Sequence, residues 1–203
     1  RLKQANTGAA PIAVEILEFF YACGVPVMEG YGMTETSTVA TTQTVEEHRL
    51  GTVGRPLPGC EVRIAADGEV LIRGPQIFQG YYKMQDQSFG AIEDGWLHTG
   101  DLGSLGADGF LSITGRKKDI IITAGGKNLT PANLENDLKQ SRWISQAVMY
   151  GDRRPYPVAL VTLDPDEIAG FAGEHGLPEA MRELAGETEV RALLQGALVA
   201  GNA

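Results

Sequence analysis

Three short segments of this 203-residue chain combine residue types that chemistry needs. The first is Gly30-Tyr31-Gly32-Met33-Thr34-Glu35-Thr36. Its glycines let backbone approach a flat ligand, while Thr and Glu offer a hydroxyl and a carboxylate. A purine, a phosphate and Mg²⁺ would suit these groups; so would a tight surface turn with a threonine N-cap, and spacing leaves both open. The second is Gly95-Trp96-Leu97-His98-Thr99-Gly100-Asp101-Leu102-Gly103, an alternating strand with a carboxylate set between glycines. Asp101 there is either a strand-end turn residue or an acceptor for two ribose hydroxyls, as acidic residues are in dinucleotide folds. The third joins Gly115-Arg116-Lys117-Lys118-Asp119 to Ile120-Ile121-Ile122-Thr123-Ala124-Gly125-Gly126-Lys127-Asn128. A charge run is usually a solvated face. This one is four residues long and lies between two apolar strands, which suits a hinge or a ligand clamp.

The elements that must carry these segments are legible from periodicity. Residues 11–21 place Ile12, Ile16, Phe19 and Phe20 at helical spacing, with Pro11 in the first turn and Gly24 as a stop. Val25 to Met28 then reads as a buried strand ending at the first glycine segment, a step of an α/β sheet. Cys60, Val62 and Ile64 alternate with polar residues, Asp67-Gly68 turns, and Val70 and Ile72 resume, which predicts a β-hairpin. Trp96 to Ser104 and Phe110 to Ile113 around Asp108-Gly109 predict a second. Beyond Gly115 the pattern gives a strand at Ile120 to Ile122, a Gly125-Gly126 loop and a helix opened by Thr130-Pro131 with Leu134 and Leu138 on one face. Strands at Ala147 to Tyr150 and Val158 to Leu163 complete a βαββ unit. A helix starts at Asp164-Pro165, and residues 178–199 read as helical, with Leu184, Leu193, Leu194 and Leu198 among good helix formers. The fold class is mixed α/β, with a domain boundary near residues 115–118.

Composition narrows the function. With 43% hydrophobic and 21% charged residues the chain can bury real cores. A net charge of -9 argues against a nucleic-acid backbone binder, which needs clustered Lys and Arg. Cys23 and Cys60 have no CxxC or Cys/His spacing, so buried free thiols are expected rather than a disulfide framework or a zinc site. No apolar run reaches the roughly 18 residues that span a bilayer, and a cytoplasmic location is the expectation. Peripheral membrane contact stays open.

In this order the Tyr-Gly-Met-Thr-Glu, Trp-Leu-His-Thr-Gly-Asp and Thr-Gly-Arg-Lys-Lys-Asp blocks resemble the adenylate-forming superfamily of acyl-CoA synthetases, luciferases and peptide-synthetase adenylation domains. Residues 121–128 with Val161-Thr162-Leu163-Asp164 look most like bacterial long-chain fatty-acid–CoA ligases. The resemblance implies an AMP-forming acid–thiol ligase using a fatty acid, ATP, Mg²⁺ and CoA. Residues 1–116 would be the end of a large domain, an α/β piece with antiparallel hairpins, and 117–203 a small mobile α+β domain. By the same resemblance, Gly30, Tyr31 and Gly32 with Gly8, Ala9 and Ala10 would line the adenine. Thr34 would touch the α-phosphate and Glu35 would hold Mg²⁺. Asp101 would bind the ribose hydroxyls with support from Arg116. Lys118 would be the hinge, and Gly125 and Gly126 would face the pantetheine channel. His98 reads as a structural histidine, since a carboxylate nucleophile needs no general base.

The family's Ser/Thr/Gly-rich phosphate loop normally lies upstream of Tyr31, and its last lysine normally follows this region. No Lys follows Asp164 here. The 203 residues are therefore expected to be a fragment, inactive alone, that relies on an upstream part of the same polypeptide. An acyl-carrier protein as acceptor and a non-catalytic nucleotide-binding module are the competing readings.

Overall fold

The computed structural model describes residues 2–10 and 12–200, so Pro11 lies outside the described residues. The chain divides into two compact units, Arg1–Lys118 and Asp119–Ala203.

In the first unit, β1 (Ala5–Thr7), α1 (Val14–Ala22) and β2 (Val27–Tyr31) form a parallel crossover with Thr7 opposite Glu29. Two-residue strands β3 (Thr41–Thr42) and β4 (Arg55–Pro56) extend that sheet antiparallel. Helix α1 stops where Gly24 takes φ 76°, a left-handed conformation that costs glycine nothing. Its buried residue is Leu17; Ile16, Phe19 and Phe20 are exposed, which corrects the apolar face expected from spacing. Among the described residues no partner covers those aromatics, so their periodicity alone misassigned the inward face. Cys23, at the end of α1, is exposed and only Cys60 is buried, so the expectation of two buried thiols holds for one of them.

The second sheet of this unit contains the two expected hairpins. Strands β5 (Glu61–Ile64) and β6 (Glu69–Arg73) pair with Val62 opposite Ile72, about a turn where Gly68 has φ 88°. A short helix α2 (Gln85–Ala91), which alternation did not reveal, leads into β7 (Ile92–Glu93). The long strand β8 (Trp96–Leu105) lies between β6 and β7 and also pairs with β9 (Leu111–Arg116). Ala40, Cys60, Val70, Ile72 and Leu111 form the core, with Tyr31, Val53 and Ile113 packed against it. Full burial of a side chain such as Ile72 stabilises by about 1.5–3 kcal/mol.

In the second unit, β10 (Ile121–Ile122) pairs antiparallel with β11 (Asn128–Leu129). Helix α3 (Pro131–Lys139) packs Leu138 with Ile144 and Ala147 of β12 (Ile144–Tyr150), which pairs with β13 (Val158–Leu163). The βαββ expectation is thus modified: β10 belongs to its own two-stranded ribbon and not to the β12–β13 sheet. Helix α4 (Pro165–His175) is capped by Asp164, whose carboxylate accepts from the Asp166 and Glu167 amides, each at 3.1 Å. The single helix expected over 178–199 is two, α5 (Met181–Leu184) and α6 (Thr188–Ala200). The chain breaks at Ala185-Gly186-Glu187, which lets both Leu184 and Val190 bury beside Ile168 and Ala172. Among the described residues no helix is long and apolar enough to cross a membrane.

Candidate functional site

The pairing of β8 with β9 sets Asp101 directly opposite Arg116. Asp101 is 4% exposed, and both carboxylate oxygens are engaged. Tyr31 Oη donates to Oδ2 at 2.6 Å, and Arg116 Nε donates to Oδ1 at 3.1 Å. Tyr31 is the last residue of β2, so this contact ties the first glycine segment to the second across 70 residues of sequence. Burial, and then the hydrogen bond to Asp101, push the Tyr31 phenol far above its ordinary pKa. It therefore remains a neutral donor. The arrangement is an anionic acceptor pair, oriented by an aromatic on one side and a cation on the other, suited to a vicinal diol beside a planar base.

The backbone around Asp101 departs from a regular ladder. Opposite β6, Glu69 pairs with Leu102 and Leu71 with His98, so three residues of β8 face one residue of β6. Gly100 takes φ 72° inside this bulge. Thr99 Oγ1 donates to the Val70 carbonyl at 2.7 Å and accepts from the Asp101 amide at 3.1 Å. Glu69 Oε1 accepts from the Gly100 amide at 2.8 Å. Its Oε2 accepts from Lys117 Nζ at 3.0 Å and lies 3.1 Å from His98 Nδ1. Burial alone would raise the Glu69 pKa, but the bonds from Lys117, Gly100 and His98 outweigh it and hold the carboxyl below its ordinary value. His98 thus has the structural role read from the sequence.

The turn after β2 is more open. A Cβ on Gly8 would lie 2.9 Å from the Gly30 carbonyl oxygen, so the start of the Gly8-Ala9-Ala10 turn lies against Gly30. Ala9 has φ 69°. A Cβ on Gly32 would fall 1.9 Å from the Thr38 carbonyl oxygen, so only glycine fits there. Thr34–Thr36 form one 3₁₀ turn, closed by Thr36 Oγ1, which accepts from the Met33 amide and donates to its carbonyl. Thr34 is exposed and Glu35 half-buried. Tyr81 Oη donates to Glu35 Oε1 at 2.6 Å, and Phe78 N donates to the Glu35 carbonyl at 2.9 Å.

Among the described residues no group of three or more His, Cys, Asp or Glu forms a cage for a metal. A lone carboxylate such as Glu35 fits Mg²⁺ in one way, as a partial ligand to an ion that keeps waters and brings substrate phosphates with it.

The fold therefore brings Gly8, Ala9, Ala10, Gly30, Tyr31, Gly32, Asp101 and Arg116 into one region, with Thr34 and Glu35 a turn away. Lys118 sits in the exposed 3₁₀ turn Lys117–Asp119, at the end of the first unit. Gly125 and Gly126 belong to the second unit, in a hairpin closed by Thr123 N donating to the Lys127 carbonyl at 3.0 Å, with Gly126 at φ 80°. Two contributors escaped sequence reasoning, Glu69 and Tyr81, while Lys117 enters it only as part of the charged third segment. Glu69 carried a signal, an acid that opens the uninterrupted apolar run Val70-Leu71-Ile72 after a hairpin turn. Tyr81 carried none.

Glycine-rich turns beside a buried, oriented carboxylate have the chemistry of a nucleotide site. Comparison with known proteins takes this further. Family models described as AMP-binding enzyme and AMP-binding enzyme C-terminal domain match residues 1–82 and 118–177. The chain belongs to the AMP-binding enzyme family. It is 46% identical over 169 residues to a long-chain-fatty-acid–CoA ligase, FadD15, of Mycobacterium bovis, covering 83% of this chain and 28% of that protein. It is 44% identical over 204 residues to a putative fatty-acid–CoA ligase, fadD11, of Mycobacterium tuberculosis, covering 100% and 36%. Among solved structures, o-succinylbenzoate CoA synthetase (MenE) from Bacillus subtilis, in complex with the acyl-adenylate intermediate OSB-AMP, superposes with a TM-score of 0.74 at 31% identity. That match covers 85% of this chain and 39% of MenE. The chain spans about a third of the length of the curated relatives it matches.

Proposed function

We propose that the polypeptide carrying these residues is an AMP-forming long-chain fatty-acid–CoA ligase. The observation that carries this reading is the buried Asp101 carboxylate held between Tyr31 and Arg116, next to the glycine-rich turn that follows β2. In the proposed reaction a fatty carboxylate attacks the α-phosphorus of Mg·ATP and the bond to pyrophosphate breaks. The CoA thiol then adds to the acyl carbonyl and AMP leaves. Such phosphoryl chemistry depends on positioning and charge neutralisation more than on acid–base groups.

In this reading Gly8, Ala9, Ala10, Gly30, Tyr31 and Gly32 line the adenine and Asp101 accepts from the ribose hydroxyls, with Arg116 fixing its orientation. Thr34 donates to the α-phosphate and Glu35 is the carboxylate ligand of Mg²⁺, which when bound neutralises phosphate charge. Residues 1–116 form the end of the large domain and 117–203 the mobile domain, turning at Lys118, with Gly125 and Gly126 facing the pantetheine. The acyl tunnel and remaining phosphate contacts come from elsewhere in the polypeptide.

The test is pyrophosphate release and thioester formation by the whole polypeptide over carboxylates of increasing length, with and without CoA. Long-chain acyl-CoA is the expected product, and residues 1–203 alone are expected to release no pyrophosphate. Acyl-adenylate without acyl-CoA would instead indicate a carrier protein as acceptor. No pyrophosphate from the whole polypeptide would overturn the enzymatic reading.

A further inference from the structure

Glu69 is an expensive residue to keep. A carboxylate 6% exposed at the start of a strand loses most of its hydration, and only well-placed donors offset that. The donors it has are informative in kind. One is the backbone amide of Gly100, the residue before Asp101. Another is the ammonium of Lys117, the residue after Arg116, which Asp67 also holds at 2.6 Å. Asp101 and Arg116 are themselves register partners. Because β8 and β9 are antiparallel, Gly100 and Lys117 lie on the same flank of that pair, and Glu69 thus holds both strands one residue away from it. The bulge makes the grip necessary. Three residues of β8 spread over one of β6 leave the Gly100 amide without a ladder acceptor, and Gly100 sits at φ 72°, where backbone has many alternatives.

We propose that Glu69 is a positioning residue for recognition of the nucleotide's ribose, acting through Gly100–Asp101 on one strand and Lys117–Arg116 on the other. This rests on the proposed role of Asp101 as ribose acceptor. Glu69 touches no substrate. Its effect is to fix the direction of the Asp101 carboxylate, so its loss blunts selection for ribose hydroxyls more than it blunts other contacts to the nucleotide.

The test compares ATP with 2′,3′-dideoxy-ATP in the whole polypeptide, as the ratio of kcat/KM values, for the native protein and for Glu69→Ala, Glu69→Gln, Lys117→Met and Asp101→Asn. Ile72→Val, a core change away from the polar network, controls for general destabilisation. Glu69→Ala is expected to lower the ratio by about fivefold or more, through KM for ATP, as loss of a buried hydrogen bond to a charged group allows. Glu69→Gln keeps an acceptor for the Gly100 amide and is expected to fall between Glu69→Ala and native. Lys117→Met is expected to give a smaller fall, and Ile72→Val none. Should Glu69→Ala fail to fold, the Glu69→Gln and Lys117→Met ratios decide. Ratios unchanged in both Glu69→Gln and Lys117→Met, while Asp101→Asn abolishes discrimination, would overturn the role of Glu69 alone. A ratio unchanged in Asp101→Asn would overturn the ribose reading itself, and this proposal with it.

Discussion

Two neighbouring parts of the first unit are built on opposite plans. Around Asp101 the carboxylates are committed: Asp101 has two donors, Glu69 has three, and both sit below a tenth exposure. Around Glu35 the turn is open, Thr34 is exposed, and one phenol from Tyr81 holds the carboxylate. A sugar diol offers fixed, neutral, directional hydroxyls, and a rigid acceptor selects among such groups at little entropic cost. A metal-bound polyphosphate is mobile and highly charged, and a carboxylate that can still adjust suits it better. On the proposed reading, rigid charge would serve the ribose and adjustable charge the phosphates.

Three substitutions can break or sharpen that contrast. Asp101→Ala should have the largest effect, because it strands Arg116 and Tyr31 beside a vacated buried site. A fall of about two orders of magnitude in kcat/KM for ATP is expected in the whole polypeptide, from the cost of truncating a buried hydrogen-bonded charge pair. Tyr81→Phe removes one hydroxyl from the open side. An increase of about threefold in the Mg²⁺ concentration needed for half-maximal activity is expected, with ATP affinity in the absence of metal unchanged. An effect as large as that of Asp101→Ala would erase the distinction between the two regions.

The smallest effect concerns Glu29, on β2 beside Gly30. Its Oε2 is buried without a hydrogen-bond partner among the described residues, and burial raises its pKa to about 7. The folded state therefore binds a proton that the unfolded chain has released. The associated stability is fully present below the ordinary glutamate pKa of about 4.3 and is lost as pH rises through 7. Urea unfolding at pH 5 and pH 8 should show Glu29→Gln reducing the difference between the two by roughly 1 kcal/mol, discounted for partial solvent screening. An unchanged difference would show that Glu29 is solvated.

Much of the fold is legible in the sequence. Asp67-Gly68 and Asp108-Gly109 located both hairpins, because a tight turn between alternating strands constrains backbone and side chains together. Spacing alone leaves the first glycine block and Asp101 open between turn and ligand site, and only the resemblance of three blocks in order gives them roles. What stayed hidden depends on distant partners. The inward face of α1 could not be read because Phe19 and Phe20 satisfy helical spacing yet remain exposed. The break at Gly186 is set by the joint burial of Leu184 and Val190. Glu69 and Tyr81 act through residues 31 and 46 positions away in sequence, Gly100 and Glu35, and no local pattern reports such pairings.

The most direct measurement is calorimetric binding of AMP and of 2′,3′-dideoxy-AMP to the whole polypeptide, native and Asp101→Asn. Native protein should bind AMP at least about tenfold more tightly than the dideoxy analogue, and Asp101→Asn should bring the two affinities together. Equal affinities in the native protein would contradict a ribose site at Asp101.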